Sequence, residues 1–238
     1  MPTSHWIVVV GGTVVYDNSC GFRTSNYGDH TYCPDNPSPI VGCSCRGEAA
    51  AKLWRQDQDA KVIVLGGITP FHQKEAEIKG FAPNICSATT FQTPLLDKII
   101  ALELETLGVP KDNITTVDLI APNGVLLGTT HQQLLHLLRL AEDAHPEEIT
   151  IISNFWQVRL AAMALRAPGL GPECAISPTQ PGVTYDFAER ILGIDRDELL
   201  KLPAAQQLCS NEAWGFGLVM SHTYKFGTMP QAGPTPGA

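Results

Sequence analysis

Short apolar runs alternate with amphipathic segments along the chain. Residues 6–10, 61–65 and 148–153 are rich in Val and Ile, and the first two runs end in glycine pairs. Uninterrupted apolar runs of this length are typical of strands that are buried on both faces of a parallel sheet. The amphipathic segment 46–56 lies between the first two runs, so we predict a strand–helix–strand unit with a right-handed crossover.

Start and end signals of helices mark several further elements. Thr93 followed by Pro94 has the form of a helix start, and Gly108 followed by Pro110 has the form of a helix end. The remaining predicted elements are a strand over 114–117, a helix that starts at Thr129 or Thr130, a helix over 155–166, a strand over 174–176, and helices over 185–192, 195–202 and 204–224.

Two long segments lack this patterning. Residues 16–46 are rich in Gly, Pro, Asn, Asp and Ser, which predicts a long loop, and residues 68–92 form a second predicted loop. Residues 229–238, with their repeated Gly and Pro, predict a disordered tail. The alternation of strands and helices predicts an α/β fold, with one domain over 1–228. We expect a Rossmann-like three-layer sandwich with a mostly parallel sheet and two long loops.

Composition and charge exclude several classes of protein. The chain has 238 residues, of which 44% are hydrophobic and 17% are charged, so it can bury a large core. Its formal net charge of −8 argues against binding to nucleic acid, because phosphates attract basic surfaces. No apolar run approaches the ~18 residues that cross a bilayer, and the N-terminal run lacks the basic flank of a signal peptide. We therefore expect a soluble, cytoplasmic protein that neither enters membranes nor binds nucleic acid.

Four of the seven cysteines lie within 26 residues: Cys20, Cys33, Cys43 and Cys45. Together with His30 they could hold zinc, with Cys33, Cys43 and Cys45 as weak candidates. The spacing argues against zinc, because only one pair is close and its gap is a single residue. A local disulfide and free loop thiols are the alternatives, and free thiols are the favoured interpretation.

Small and polar residues follow the predicted strands. In an open α/β sheet, ligands bind outside the carboxyl ends of the strands, where glycines allow close approach and helix N-termini favour anions. The candidate ligand-binding residues are Gly11, Gly12, Thr13, Arg46, Gly66, Gly67, Thr129, Ser153, Asn154, Trp156 and Arg159. Neither a GxGxxG nor a Walker pattern is present, so nicotinamide and P-loop chemistry have no direct support.

Each candidate also has a purely structural interpretation. The glycine pairs could serve only as strand-ending turns. Arg46 could simply open a helix, and Arg159 could lie on a helix surface. Ser153 is a helix cap or a hydrogen-bonding group rather than a nucleophile, because no local His would act as its base. Trp156 could stack on a flat ligand ring, although a buried aromatic side chain is the more frequent outcome.

The arrangement of these residues carries a resemblance to a known family. The features are the two glycine pairs, the Gly-Val-Pro helix end at 108–110, Thr129, and the spacing from Ser153 to Arg159. Their order over residues 7–165 resembles the YdcF/SanA/ElyC-like proteins, a bacterial family. The resemblance implies a Rossmann-type domain. One branch of that family is linked to S-adenosylmethionine, and others are linked to envelope polysaccharides or lipid carriers.

The chain departs from the family pattern at several positions. Leu65 precedes the second glycine pair where the family usually has Ser, and Trp156 stands where the family has His. The Asn-Thr-x-Glu-Asn element keeps only Thr129, and Asp97 is a near match to the acidic residue early in the third helix. Without the family's His and Glu, an acid–base role has no obvious residue to perform it.

These observations predict a protein that binds a small anionic, nucleotide-like ligand at the carboxyl edge of a parallel sheet. It would be a transferase that uses S-adenosylmethionine, which is the possible cofactor, or an enzyme that acts on a phosphate ester. The alternatives are a non-catalytic ligand-binding or regulatory module, and an interaction protein with a zinc-binding Cys-rich loop.

Overall fold

The computed structural model describes residues 4–27, 29, 42–67, 75, 78, 94–117, 130–157 and 182–220. The elements in these segments are β1 (His5–Val9), β2 (Val14–Asp17), β3 (Gly21–Thr24), α1 (Ser44–Gln56), β4 (Lys61–Leu65), α2 (Leu96–Thr106), β5 (Ile114–Val117), α3 (Thr130–Ala144), β6 (Glu148–Ser153), β7 (Val183–Phe187), α4 (Ala188–Leu192), α5 (Arg196–Leu199) and α6 (Pro203–Met220). A short 3₁₀ turn, Lys111–Asn113, precedes β5. Within these segments, no helix is long and apolar enough to cross a membrane.

Five strands form a parallel sheet in the order β5-β4-β1-β6-β7. Strand β1 is central, with Ile7 opposite Val62 of β4 on one side and opposite Thr150 of β6 on the other. Numbered along the chain within this sheet, the order is 3-2-1-4-5, which is the order of the Rossmann fold. The predicted α/β class is confirmed, and the winding direction reverses between β1 and β6.

Helices cover both faces of the sheet. One core cluster packs α1, α2 and α4 against Ile7 and Val9, and the other packs α3 against Trp6 and Val8. Successive residues of a strand point to opposite faces, so a strand between two helical layers must be apolar throughout. This is why the strands β1, β4 and β6, with their largely apolar sequences, were predictable.

The prediction of an unbroken loop over 16–46 is wrong. Strands β2 and β3 form an antiparallel hairpin with Val14 opposite Thr24, and α1 already begins at Ser44. Each strand has only four residues, and the turn between them is closed by Asp17, whose side chain accepts from Ser19 N–H at 2.8 Å. Such short strands separated by Asp, Asn, Ser and Gly resemble a loop in composition.

The hairpin is held against the domain by two polar contacts. The backbone N–H and the hydroxyl of Thr24 donate to the two carboxylate oxygens of Glu103 on α2, both at 2.7 Å. Burial raises the pKa of Glu103. Beyond the hairpin, Arg23 donates to both oxygens of Asp29 at 2.6 and 3.1 Å, and this hydrogen bonding lowers the pKa of Asp29.

Several predicted boundaries are also wrong. Helix α2 begins at Leu96 after the extended Leu95, and Thr93 lies outside the described residues. Tyr185 belongs to strand β7 rather than to a helix, because the β-branched and aromatic residues of this segment pair with β6. Residues 155–157 are not helical, whereas the two described residues of the second predicted loop, 75 and 78, are helical. The predicted strand over 174–176 and the tail over 229–238 lie outside the described residues.

Candidate functional site

At the carboxyl edge of the sheet, the connections that follow the neighbouring strands β1 and β6 leave in opposite directions. Neighbouring strands whose connections leave in opposite directions create a crevice there, and open α/β sheets bind ligands in this crevice. Segments 10–13 and 154–157 follow these two strands, so they lie at the crevice. They carry several of the predicted site residues: Gly11, Gly12, Thr13, Asn154 and Trp156.

Arg46, in the first turn of α1, joins the two strand ends. Its side chain is only 1% exposed, and its Nη1 donates to the carbonyls of Val10 at 2.9 Å and Gly11 at 2.5 Å. Its Nε donates to Oδ1 of Asn154 at 2.6 Å, and its Cζ lies 5.8 Å from the centroid of the Trp156 ring. A buried cation is tolerated only where hydrogen bonds replace its hydration, and these contacts do so.

Asn154 connects this cation to a buried carboxylate. Its Nδ2 donates to Oε1 of Glu189 at 2.7 Å and to the carbonyl of Gly42 at 2.9 Å. Glu189, on α4, is 2% exposed and also accepts from Phe155 N–H at 2.9 Å. The hydroxyl of Tyr27 donates to the same carboxylate. We call Arg46, Asn154, Glu189 and Tyr27 the buried polar network.

The start of α1 packs closely around this network. Gly42 has a φ of +53°, and a Cβ added there would overlap the ring of Tyr27, so both its backbone conformation and its surroundings require glycine. The thiol of Cys45 donates to the Gly42 carbonyl at 2.6 Å, and burial raises its pKa to about 12. Burial likewise raises the pKa of Tyr27. These groups therefore stay protonated at neutral pH and act structurally.

The cysteines among the described residues are free thiols. Cys43 is buried and accepts from Thr13 N–H at 3.2 Å, Cys45 is buried, and Cys20 is exposed. Across the described segments, no group of three or more His, Cys, Asp or Glu side chains could hold a metal ion. Cys33 lies outside those segments, so a site or a disulfide that includes it stays a prediction.

The glycine pairs allow strand ends to pack against neighbouring elements. A Cβ on Gly12 would lie 2.6 Å from Cys43 Sγ, and one on Gly11 would lie 2.7 Å from the Leu65 carbonyl oxygen. A Cβ on Gly66 would lie 3.0 Å from Cβ of Asp97. Close packing alone therefore accounts for these glycines. Within the described residues, however, the backbone N–H groups at positions 11 and 12 donate no hydrogen bond.

The remaining predicted site residues have different surroundings. Ser153 is fully buried, and its hydroxyl is hydrogen-bonded to that of Tyr185, whose pKa is raised by burial. Gly67 follows β4 and is half-buried. Thr129 and Arg159 lie outside the described residues, so their roles stay predictions.

Sequence reasoning missed Glu189 and Tyr27. Glu189 lies in the first turn of a five-residue helix, where an acidic residue is common. Tyr27 lies in a segment whose composition predicts a loop. Asp97, noted only as a near match to a family residue, is 1% exposed and lies beside Gly66. No local pattern in the chain marks any of these residues as part of a shared site.

A second group of polar side chains lies at the opposite edge of the sheet. His5 Nδ1 is 2.9 Å from Asp57 Oδ2, and His5 Nε2 is 2.9 Å from Thr150 Oγ1. The Thr184 hydroxyl donates to Thr150 at 3.1 Å. Although this order of groups matches that of a catalytic triad, the Thr150 hydroxyl lies inside a strand and is 8% exposed. The contacts tie β1, β6, β7 and the end of α1 together.

Comparisons of the chain with protein-family models, with curated proteins and with solved structures find no match. Function is therefore inferred from the strand order and from the side chains at the carboxyl edge.

Proposed function

We propose that the protein binds a small anionic, nucleotide-like ligand at the carboxyl edge of its sheet, between the ends of β1 and β6. The observation that carries this proposal is the burial of Arg46 at the point where the winding direction reverses. Arg46 holds the ends of β1 and β6 together at this point, and open α/β sheets bind their ligands where the winding direction reverses.

The backbone around Arg46 supports an anion rather than a cation as the ligand. The N–H groups of Gly11 and Gly12 donate no hydrogen bond within the described residues. Helix α1 begins at the same edge, and its first turn carries no acidic side chain that would compete for the helix N-terminus. Consecutive free N–H groups and a helix N-terminus both favour negative charge.

The surroundings of Glu189 favour ligand binding over acid–base catalysis by this residue. Its carboxylate already accepts from the Asn154 amide, the Tyr27 hydroxyl and the Phe155 N–H. These three donors all belong to the chain itself, and they fix the position of the carboxylate. We therefore assign Glu189 to positioning, and S-adenosylmethionine and nucleotides are the first ligands to test, as the resemblance to the YdcF/SanA/ElyC-like proteins also suggests.

A thermal-shift screen of the full chain tests the proposal. The panel contains S-adenosylmethionine, S-adenosylhomocysteine, nucleotides, sugar nucleotides and isoprenoid phosphates. A ligand at 100 times its Kd stabilises the native state by about 2.7 kcal/mol, which gives a clear shift. We expect at least one of these anionic or nucleotide-like compounds to raise the Tm, and isothermal titration calorimetry then gives its Kd.

Two variants of α1 locate the binding site. Arg46→Lys keeps the charge but removes the bond from Nε to Asn154, so we expect it to weaken binding by about tenfold or more. Arg55→Lys is the matched control, because Arg55 also donates to a backbone carbonyl but lies in the last turn of the same helix. If no compound binds, or if folded Arg46→Lys protein binds as tightly as the wild type, the proposal is wrong.

A further inference from the structure

Arg46 uses two of its three side-chain nitrogens to hold the strand ends together. Nε donates to Oδ1 of Asn154, after β6, and Nη1 donates to the carbonyls of Val10 and Gly11, after β1. All three acceptors are neutral, and among the described residues Arg46 has no ion pair and no further hydrogen bond. Dipoles alone therefore stabilise its positive charge, and both N–H groups of Nη2 are left without an acceptor.

Nη2 lies between the two strand ends, because it is bonded to the same carbon as Nε and Nη1. The guanidinium lies over the Trp156 ring, with Cζ 5.8 Å from the ring centroid. Although Arg46 as a whole is buried, Nη2 is not one of the fully shielded, unpaired side-chain atoms of the described segments. This nitrogen therefore keeps contact with solvent, and a ligand can reach the cation there.

A single open nitrogen restricts the kind of anion that Arg46 can hold. A two-pronged clamp on a phosphate or a carboxylate uses two nitrogens of the guanidinium side by side. Here Nε and Nη1 are both occupied by the chain. The contact with a ligand is therefore made through Nη2, and it supplies one positive charge.

A carboxylate lies on the far side of Asn154. Nδ2 of Asn154 donates to Glu189 at 2.7 Å, so only the amide separates the guanidinium from this carboxylate. The other titratable side chains beside Arg46 and Glu189 are Cys43, Cys45, Tyr27 and Tyr185. Burial raises the pKa of the last three, so they stay neutral at neutral and mildly acidic pH. Glu189 is therefore the group that opposes additional negative charge beside Arg46.

Charge and geometry together favour a ligand group with one negative charge. One such charge balances Arg46, whereas a second would be repelled by Glu189 at a buried position, where water screens the repulsion poorly. A terminal phosphate carries between one and two negative charges at pH 7, because its second pKa is about 6. A carboxylate or a phosphate diester carries one.

We infer that the ligand meets Nη2 of Arg46 with a singly charged oxyanion, a carboxylate or a phosphate diester, rather than with a terminal phosphate. This inference rests on the proposed function, because it assigns the anionic group of the same ligand. The carboxylate and the diester share the chemistry that Arg46 recognises, and separate arms of the test distinguish them.

Calorimetric titration of the full chain with matched compounds tests the inference. Adenosine 5′-monophosphate (AMP) and its methyl ester differ in charge at pH 7.5, and adenosine is their uncharged counterpart. S-Adenosylhomocysteine and its decarboxylated analogue differ only in the carboxylate. If the site takes a diester, we expect the ester to bind at least as tightly as AMP and about tenfold more tightly than adenosine. If it takes a carboxylate, we expect the decarboxylated analogue to lose about tenfold or more in affinity, as the loss of a charge-assisted hydrogen bond implies.

The pH dependence of AMP binding gives a second test on the wild-type protein. Between pH 7.5 and pH 5.5, the phosphate of AMP takes up a proton and becomes singly charged, whereas the ester does not titrate. The affinity for AMP relative to the ester should therefore rise about tenfold as the pH falls. The ester, measured at both pH values, corrects for any titration of the protein itself.

The outcomes separate this inference from the proposed function. If AMP binds tenfold more tightly than its ester at pH 7.5 and loses this advantage at pH 5.5, the site takes a terminal phosphate. The proposed function then stands, and this inference is overturned. If adenosine binds as tightly as AMP and the ester, and the decarboxylated analogue as tightly as S-adenosylhomocysteine, no anion is recognised and both are overturned. If none of the compounds binds, both are also overturned.

Glu189→Gln tests the charge argument with little change of shape. It removes the negative charge next to Asn154, so we expect the ratio of AMP affinity to ester affinity at pH 7.5 to rise about fivefold or more. Glu103→Gln is the matched control, because Glu103 also accepts two hydrogen bonds from the chain, both from Thr24, but lies on α2. An unchanged ratio in folded Glu189→Gln protein would overturn the inference. If this variant does not fold, the pH series on the wild type decides.

Discussion

Replacement of Asn154 by aspartate perturbs the buried polar network with very little change of shape. Asn154 accepts from Arg46 through Oδ1, and it donates to Glu189 and to the Gly42 carbonyl through Nδ2. Aspartate keeps the acceptor for Arg46, but it removes both donations and places a second carboxylate against Glu189. The substitution therefore keeps the bond between position 154 and Arg46 but breaks the bond between position 154 and Glu189.

The structure sets the size of the expected effect. A hydrogen bond to a charged group contributes about 1.5–3 kcal/mol, and one to a neutral carbonyl contributes about 1 kcal/mol. Closer pairing of the new carboxylate with Arg46 offsets part of its repulsion from Glu189. We therefore expect Asn154→Asp to lower the free energy of unfolding by about 3–4 kcal/mol at pH 7, or to lower the Tm by roughly 6–16 °C for a chain of this length.

Urea unfolding followed by tryptophan fluorescence at pH 7 measures the loss of stability. Asn113→Asp is the control, because Asn113 also donates to two backbone carbonyls, those of Gln58 and Ala60, but from a half-buried position. We expect that control to change stability by about 1 kcal/mol or less. Equal stability of Asn154→Asp and the wild type at pH 7 would refute the bond between Asn154 and Glu189.

Three further predictions concern the loops around the site. Gly42→Ala should lower the free energy of unfolding by about 2–4 kcal/mol in chemical unfolding, because the added Cβ would displace the ring of Tyr27. Gly21 also has a positive φ but has open space around it, so Gly21→Ala should lower the free energy of unfolding by only about 1 kcal/mol. The lowered pKa of Asp29 means that its stabilisation is present above the ordinary value of 3.8 and is lost as the pH falls through the folded value. The gap in unfolding free energy between wild type and Asp29→Asn should therefore close in acid, and a constant gap would contradict the bond to its arginine partner. Iodoacetamide at pH 8 should modify the exposed Cys20 of the native protein but leave Cys45 unmodified, because burial raises the pKa of Cys45 to about 12. Peptide mass mapping measures which of the two thiols is modified.

Elements with a strong periodic signal were predictable from the chain alone. Strands β1, β4 and β6 are buried on both faces, so the sequence there is mostly apolar. Among the described residues, strand β7 pairs with one strand, β6, and its Thr184 and Asp186 are polar, so its aromatic residues were assigned to a helix. The hairpin was missed for a similar reason: its stability comes from contacts with α2 rather than from its own four-residue strands.

Some of the candidate site residues could be selected from the sequence for a different reason. Asn154 directly follows a predicted strand, so the rule that ligands bind at the carboxyl edge was enough to select it, whereas Arg46 was selected at the start of a helix and by the resemblance to the YdcF/SanA/ElyC-like proteins. Glu189 meets Asn154 across 35 positions of sequence, and Tyr27 meets Glu189 across 162. Such pairings depend on the order of strands in space, which the pattern of a single sequence does not encode.

The central position of β1 has a consequence for synthesis of the chain. The segments from β1 to β5 can pair with one another as soon as residue 117 has emerged, whereas β6 begins only at residue 148. During this interval a nascent chain presents one edge of β1 without a neighbour, and Arg46 lacks its bond to Asn154. Open strand edges promote association between chains, and late long-range pairing slows folding. The seam between β1 and β6 therefore closes only after β1, β4 and β5 have paired, and a chaperone that shields β1 until then would raise the yield of native protein.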